Sequence, residues 1–169
     1  MNFINLFPSL DILILFLFVV AVILHLLFIK KSKLLVGLVA LYASFVVVVI
    51  LPMFNTAVSG WLQAYPFGKI IAFVGLIVVL YILLSLSNLA EFSKNITPTQ
   101  FATSLVYRVA LTGLFFTTII YFLPDAVKIN FGALTKTLFL NLVAMAVWFI
   151  IPLGLALAYR FKTRRGWID

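Results

Sequence analysis

The chain has 169 residues, 66% of them hydrophobic and only 9% charged, with a formal net charge of +8 and a mean hydropathy of +1.29. Soluble domains are about half apolar and about a quarter charged, so a soluble globular fold is excluded, as is any separately folding soluble domain. Cysteine is absent and histidine occurs once, which removes disulfides, thiolate catalysis and cysteine-ligated zinc or iron–sulfur clusters; no cofactor or metal is expected.

A strongly basic balance often signals nucleic acid, but the pattern here does not. The basic residues gather at the ends of apolar runs, with no stripe of interleaved stacking aromatics. In such places they set topology and meet anionic lipid headgroups. Residues 1–29 contain no Lys or Arg. A cleavable signal peptide needs a basic leader and a small-residue cleavage site, so the first apolar run is expected to remain in the mature protein.

Crossing ~30 Å of hydrocarbon takes about 20 residues of helix. Five runs meet that length, at 12–29, 34–54, 70–88, 102–123 and 138–159, followed by a short basic tail, 160–169. The expected fold is therefore an all-α, single-domain bundle of five transmembrane helices. Only Lys30, Lys31, Ser32 and Lys33 separate the first two runs, which predicts a tight helical hairpin. Ser9 is placed to cap the first helix, with Asp11 in its first turn facing the positive end of the dipole. Pro52 weakens the end of the second helix, and Pro66 suits the first turn of the third. Thr97, Pro98 and Gln100 have the spacing of a capping box that opens the fourth helix, and Pro124 stops it. Pro152 and Gly154 predict a kink in the fifth.

With five spans, Lys30, Lys31, Lys33, Lys94, Arg160, Lys162, Arg164 and Arg165 share one side, and Lys69, Lys128 and Lys136 share the other. Eight against three puts the first side in the cytoplasm, giving an N-out, C-in topology. Anionic headgroups are the expected partners of the Lys30–Lys33 turn and of Arg160, Lys162, Arg164 and Arg165. Between the second and third runs, Trp61, Tyr65 and Phe67 read as an interfacial segment lying on the membrane.

An ionisable group inside lipid is a functional candidate by default, and there are two. Arg108 lies roughly 10 Å into the fourth span and leans back toward the cytoplasm. It reads as an anchor paired with Glu91, or as a site for an anionic group. His25 lies one turn from the inner end of the first span and leans into the membrane. It needs a partner in the bundle, and Tyr42, Tyr81, Ser85 and Tyr107 are at similar depth. It reads as a packing histidine, or as a proton or ligand site. His25, Arg108, Glu91, Tyr81 and Tyr107 are thus the candidate intramembrane polar site. Asp11 and Asp125 read as caps or interface residues. Small residues mark close helix contacts in lipid: Ala40 and Ser44, with Gly37 one turn earlier, and Gly113 and Gly75 on later spans.

No nucleophile–base pair, metal-ligand cluster, P-loop or Rossmann fingerprint is present, so no catalytic residue is assigned. There is no internal repeat of the kind that marks inverted-repeat transporters. The first run begins LDILIL at 10–15, the basic turn Lys30–Lys33 precedes the second helix, and Arg108-Val-Ala-Leu-Thr-Gly113 places a basic residue before a glycine on the fourth. In these features residues 10–123 resemble the colicin V production protein family of small bacterial inner-membrane proteins. The basic turn here lacks that family's glycine, and the fifth span lies outside the pattern. The resemblance implies a bacterial cytoplasmic-membrane protein with a role in export or envelope homeostasis. The residues themselves support two functions. One is a non-enzymatic subunit or assembly factor that forms homo- or hetero-oligomers through helix packing. The other is a small transporter or channel component using His25 and Arg108.

Overall fold

The computed structural model describes residues 10–89, 93 and 101–165, with side chains as far as residue 158. Among these the regular elements are all helical: α1 (Leu10–Phe28), α2 (Leu34–Phe54), α3 (Thr56–Ala64), α4 (Gly68–Ser85), α5 (Phe101–Phe122), α6 (Asp125–Lys128), α7 (Ala133–Thr135) and α8 (Leu142–Arg165). A 3-10 turn spans Lys31–Lys33 and a π-helical stretch spans Lys136–Leu140. Four helices, α1, α2, α4 and α5, are long and apolar enough to cross a membrane. Ala133–Leu140 and Leu142–Ala158 make a fifth span, bent by 47°, if the pair is counted as one. Glu91, Lys94 and the Thr97–Gln100 capping signature lie outside the described residues, as do Ser9 and the side chains of Arg160, Lys162, Arg164 and Arg165.

Lipid is as apolar as leucine, so burial of hydrophobic side chains does not decide which helix goes inside. Polar groups and close packing decide it. The most polar of the spans, α5, is accordingly the central one. Twelve of its 22 residues are buried, among them Ser104, Arg108, Thr112, Thr117 and Thr118. By contrast α1 contributes no buried residue, and α4 only Gly68 and Phe73. α5 packs against α1, α2, α4 and α8, while α2 and α4 pair closely with each other. Ala40 and Ser44 are fully buried on α2. A ladder of rings, Phe45, Phe73, Phe115 and Phe122, joins α2, α4 and α5.

Helix α1 is tied to the bundle at its two ends. At its start, the Asp11 carboxylate accepts hydrogen bonds from the backbone N–H groups of Gly132 at 2.9 Å and Leu134 at 3.1 Å. Asp11 therefore caps α7 and does more than favour the dipole of its own helix. A Cβ at Gly132 would press on that carboxylate, so a larger residue here would push the Asp11 side chain off its N–H partners. Farther along, the Phe18 ring packs against Phe116, Phe139 and Trp148.

Two connections differ from the sequence expectation. Pro66 does not enter a helix; it sits second in a turn that the Gly68 N–H closes onto the Tyr65 carbonyl at 3.0 Å, a position its fixed φ suits. The aromatic loop contains a helix of its own, α3, capped by the Asn55 side chain, which accepts from the N–H groups of Ala57 and Val58. The last span is interrupted at Asn141 and not at Pro152, which lies inside α8. A π-type bond from the Asn141 N–H to the Lys136 carbonyl at 2.8 Å ends the first half. The Asn141 side chain then caps the second half at the Val143 N–H, 3.0 Å. The Trp148 indole donates to the Leu138 carbonyl at 2.8 Å, binding the two halves together.

Gly113 lies under the Trp148 ring with no room for a Cβ, whereas Gly75 faces open space. Gly113→Ala is therefore expected to cost about 1–3 kcal/mol through overpacking, and Gly75→Ala to be neutral or mildly stabilising. Thermal unfolding in mild detergent checks this; equal shifts for the two variants would contradict the α5–α8 contact.

Candidate functional site

The polar site forms where α1 meets α5. Thr112 follows Arg108 by four residues, so both side chains lie on one face of α5. Position 104, one turn earlier, is a serine on that same face. Arg108 is 4% exposed. Its guanidinium donates to the backbone carbonyl of His25 on α1 and, through Nε, to Ser104 Oγ at 3.4 Å. The carbonyl belongs to the last turn of α1, where it also accepts from the Ile29 N–H at 3.2 Å and where the dipole is negative. A cation held there uses the oxygen's second lone pair and complements the dipole. The side chain leans toward the start of its own helix and ends on α1. Its expected partner, Glu91, lies outside the described residues.

His25 turns inward from the same turn of α1, its Nδ1 facing Thr112 Oγ1 at 3.3 Å. The partner is a threonine, not one of the hydroxyls singled out from depth. Tyr42 instead donates to the Phe149 carbonyl on α8, and Tyr107 is buried on α5. Tyr81 lines the same groove as His25 without belonging to the Arg108 cluster. Position 112 carried a legible signal: a threonine four residues from an intramembrane arginine, on the face that arginine defines.

Beside His25 an apolar groove of about 480 Å³ lies between α1 and the α2–α4 pair, with α5 as its floor. It exists because α1 packs on α5 and barely touches α2 and α4. Thr112 and Leu111 come from the floor, Val78, Tyr81 and Ile82 from α4, and Gly37 from α2. Gly37, expected at a close helix contact, instead borders this groove with nothing within 4 Å of a Cβ built on it. Among the described residues, no three His, Cys, Asp or Glu side chains come together, and the one ion pair, Lys128 to Asp125 at 3.2 Å, is at a helix end away from this site. The groups at hand can hold a helix end and present a few hydrogen-bonding atoms to an apolar ligand.

Because Arg108 and Thr112 both hold the last turn of α1, their losses should overlap. Arg108→Ala is expected to cost about 1.5–3 kcal/mol, as for a hydrogen bond to a charged group, and Thr112→Val about 1 kcal/mol. The double variant should lose less than the sum. Arg108→Lys should recover only part, since an ammonium lacks the planar fork. Strict additivity in detergent unfolding would separate the two contacts. Comparison with family models, with curated proteins and with solved structures finds no match to this chain, so the colicin V production protein likeness rests on the sequence features alone.

Proposed function

We propose that the protein is a non-enzymatic, multi-pass subunit or assembly and export factor of a complex in the bacterial cytoplasmic membrane, with its N-terminus outside and its basic tail inside. One observation carries this reading: the two ionisable groups deep within the spans, Arg108 and His25, are used to join helices. Arg108 holds the end of α1, His25 meets Thr112, and Asp11 caps α7. Little polar chemistry is left for bond-making. The outward faces offer apolar side chains to lipid or to partner helices, such as Leu27 and Phe28 on α1, Leu83 on α4 and Ile150 on α8. In a bilayer those faces associate by shape and small residues and not by the hydrophobic effect.

The groove next to His25 favours a second reading, a small transporter or channel component. That function needs the groove to open toward both sides, and flux in liposomes would have to fall when His25 is replaced in a folded variant.

Isolation in mild detergent tests the first reading. A stoichiometric partner, or a defined oligomer of the chain, is expected by native mass spectrometry. A lone monomer, or lipid or peptide turnover lost in His25→Ala, would contradict it. Reporter fusions after Arg165 should read cytoplasmic and fusions within 124–136 external; the reverse would overturn the topology.

A further inference from the structure

The geometry points to a specific phospholipid site: the groove between α1 and α4 holds one acyl chain of an anionic phospholipid, whose phosphate sits at Lys30 and Lys31. This stands whether the protein serves as a subunit or as a carrier.

The groove has the position such a lipid needs. Its lining runs along α1 from Ala21 to Phe28 and reaches Ile29, the residue before Lys30. The mouth therefore lies beside the basic turn, and the groove extends from there toward the middle of the membrane. His25 is about one turn, roughly 5 Å, deeper than the end of α1, and Tyr81 lines the opposite wall. A lipid presents its ester oxygens just below its phosphate, at the level of these two side chains, and its hydrocarbon below that, where the lining is aliphatic and aromatic.

Charge selects the head. Lys30 and Lys31 are exposed, and neither forms an ion pair among the described residues. Lys33 is used differently: its Nζ donates to the Ser85 carbonyl at the end of α4 at 3.0 Å. That bond fixes the turn against α4, and Lys30 and Lys31 directly follow Ile29, the last groove-lining residue at this end of α1. Cationic side chains at this depth attract anionic lipid.

A flexible hydrocarbon chain can follow an apolar groove of this kind, about 480 Å³ in volume. In the membrane such a groove is never empty, and a lipid that also satisfies the two lysines is preferred over one that does not.

The test uses the whole protein reconstituted in nanodiscs of phosphatidylglycerol and phosphatidylcholine, extracted gently and weighed by native mass spectrometry. One phosphatidylglycerol should be retained in preference to phosphatidylcholine. Gly37→Leu projects a side chain into space where nothing stands within 4 Å, so it should fold, fill the groove and cut retention at least tenfold. The surface variant Lys30→Ala/Lys31→Ala should weaken retention roughly 30-fold, from the contribution of two cations at an anionic surface, and should abolish the headgroup preference. Equal retention of the two lipids, retention unchanged in Gly37→Leu with an undiminished melting temperature, or displacement by Gly37→Leu of a polypeptide and not of a lipid would each overturn the assignment.

Discussion

The hydrogen bond from the Arg108 guanidinium to the last-turn carbonyl of α1 decides how this bundle is built. A charged group within a membrane span must be surrounded by protein or reach water. Arg108 does the former, being buried on α5 and reaching across to α1. That choice makes α5 the central helix, because the most polar span has the most to gain from leaving lipid. It also sets the place of α1, a helix with no buried residue of its own. Asp11 at one end and the His25 turn at the other supply the fixed points that hydrophobic packing cannot supply in a bilayer.

The groove follows from the same arrangement. Since α1 is drawn onto α5, it stands away from α2 and α4, which pair with each other. The space left between them opens beside a turn where Lys33 is tied to α4 and Lys30 and Lys31 are not. Packing, polarity and charge thus converge on one end of the molecule. A structural lipid there would complete the contact that α1 lacks, much as a further helix would in a larger bundle.

The approximate positions of the long apolar helices were legible because apolar length is a direct consequence of membrane thickness; the count is four, or five with the bent last pair taken as one. The sequence runs at 34–54 and 102–123 nearly coincide with α2 and α5. What was not legible came from contacts between distant segments. Asp11 looked like a cap for its own helix; its partners are 121 and 123 residues away. Depth suggested Tyr42, Tyr81, Ser85 and Tyr107 for His25, yet Thr112, well into α5, is the residue that faces it. The break at Asn141 had no proline to advertise it: there Phe139 is buried among Phe18, Phe116 and Trp148, and the indole donates to the Leu138 carbonyl. Asn141 before an apolar run is itself an N-cap signal, and its side chain does accept from the Val143 N–H. Among the glycines, spacing alone could not separate Gly113, pressed on Trp148, from Gly37, which borders open space.

The chain contains no cysteine, so a pair of introduced cysteines can carry spin labels without background. Leu27 on α1 and Leu83 on α4 are 68% and 58% exposed and stand near the end of the bundle that bears the groove. Double electron–electron resonance between labels at these positions reads the placement of α1 directly. The account predicts one narrow distance distribution with the native Arg108 and a broader, longer one once Arg108→Ala releases the end of α1. A distribution left narrow and unmoved by Arg108→Ala would contradict the claim that this one side chain positions the helix.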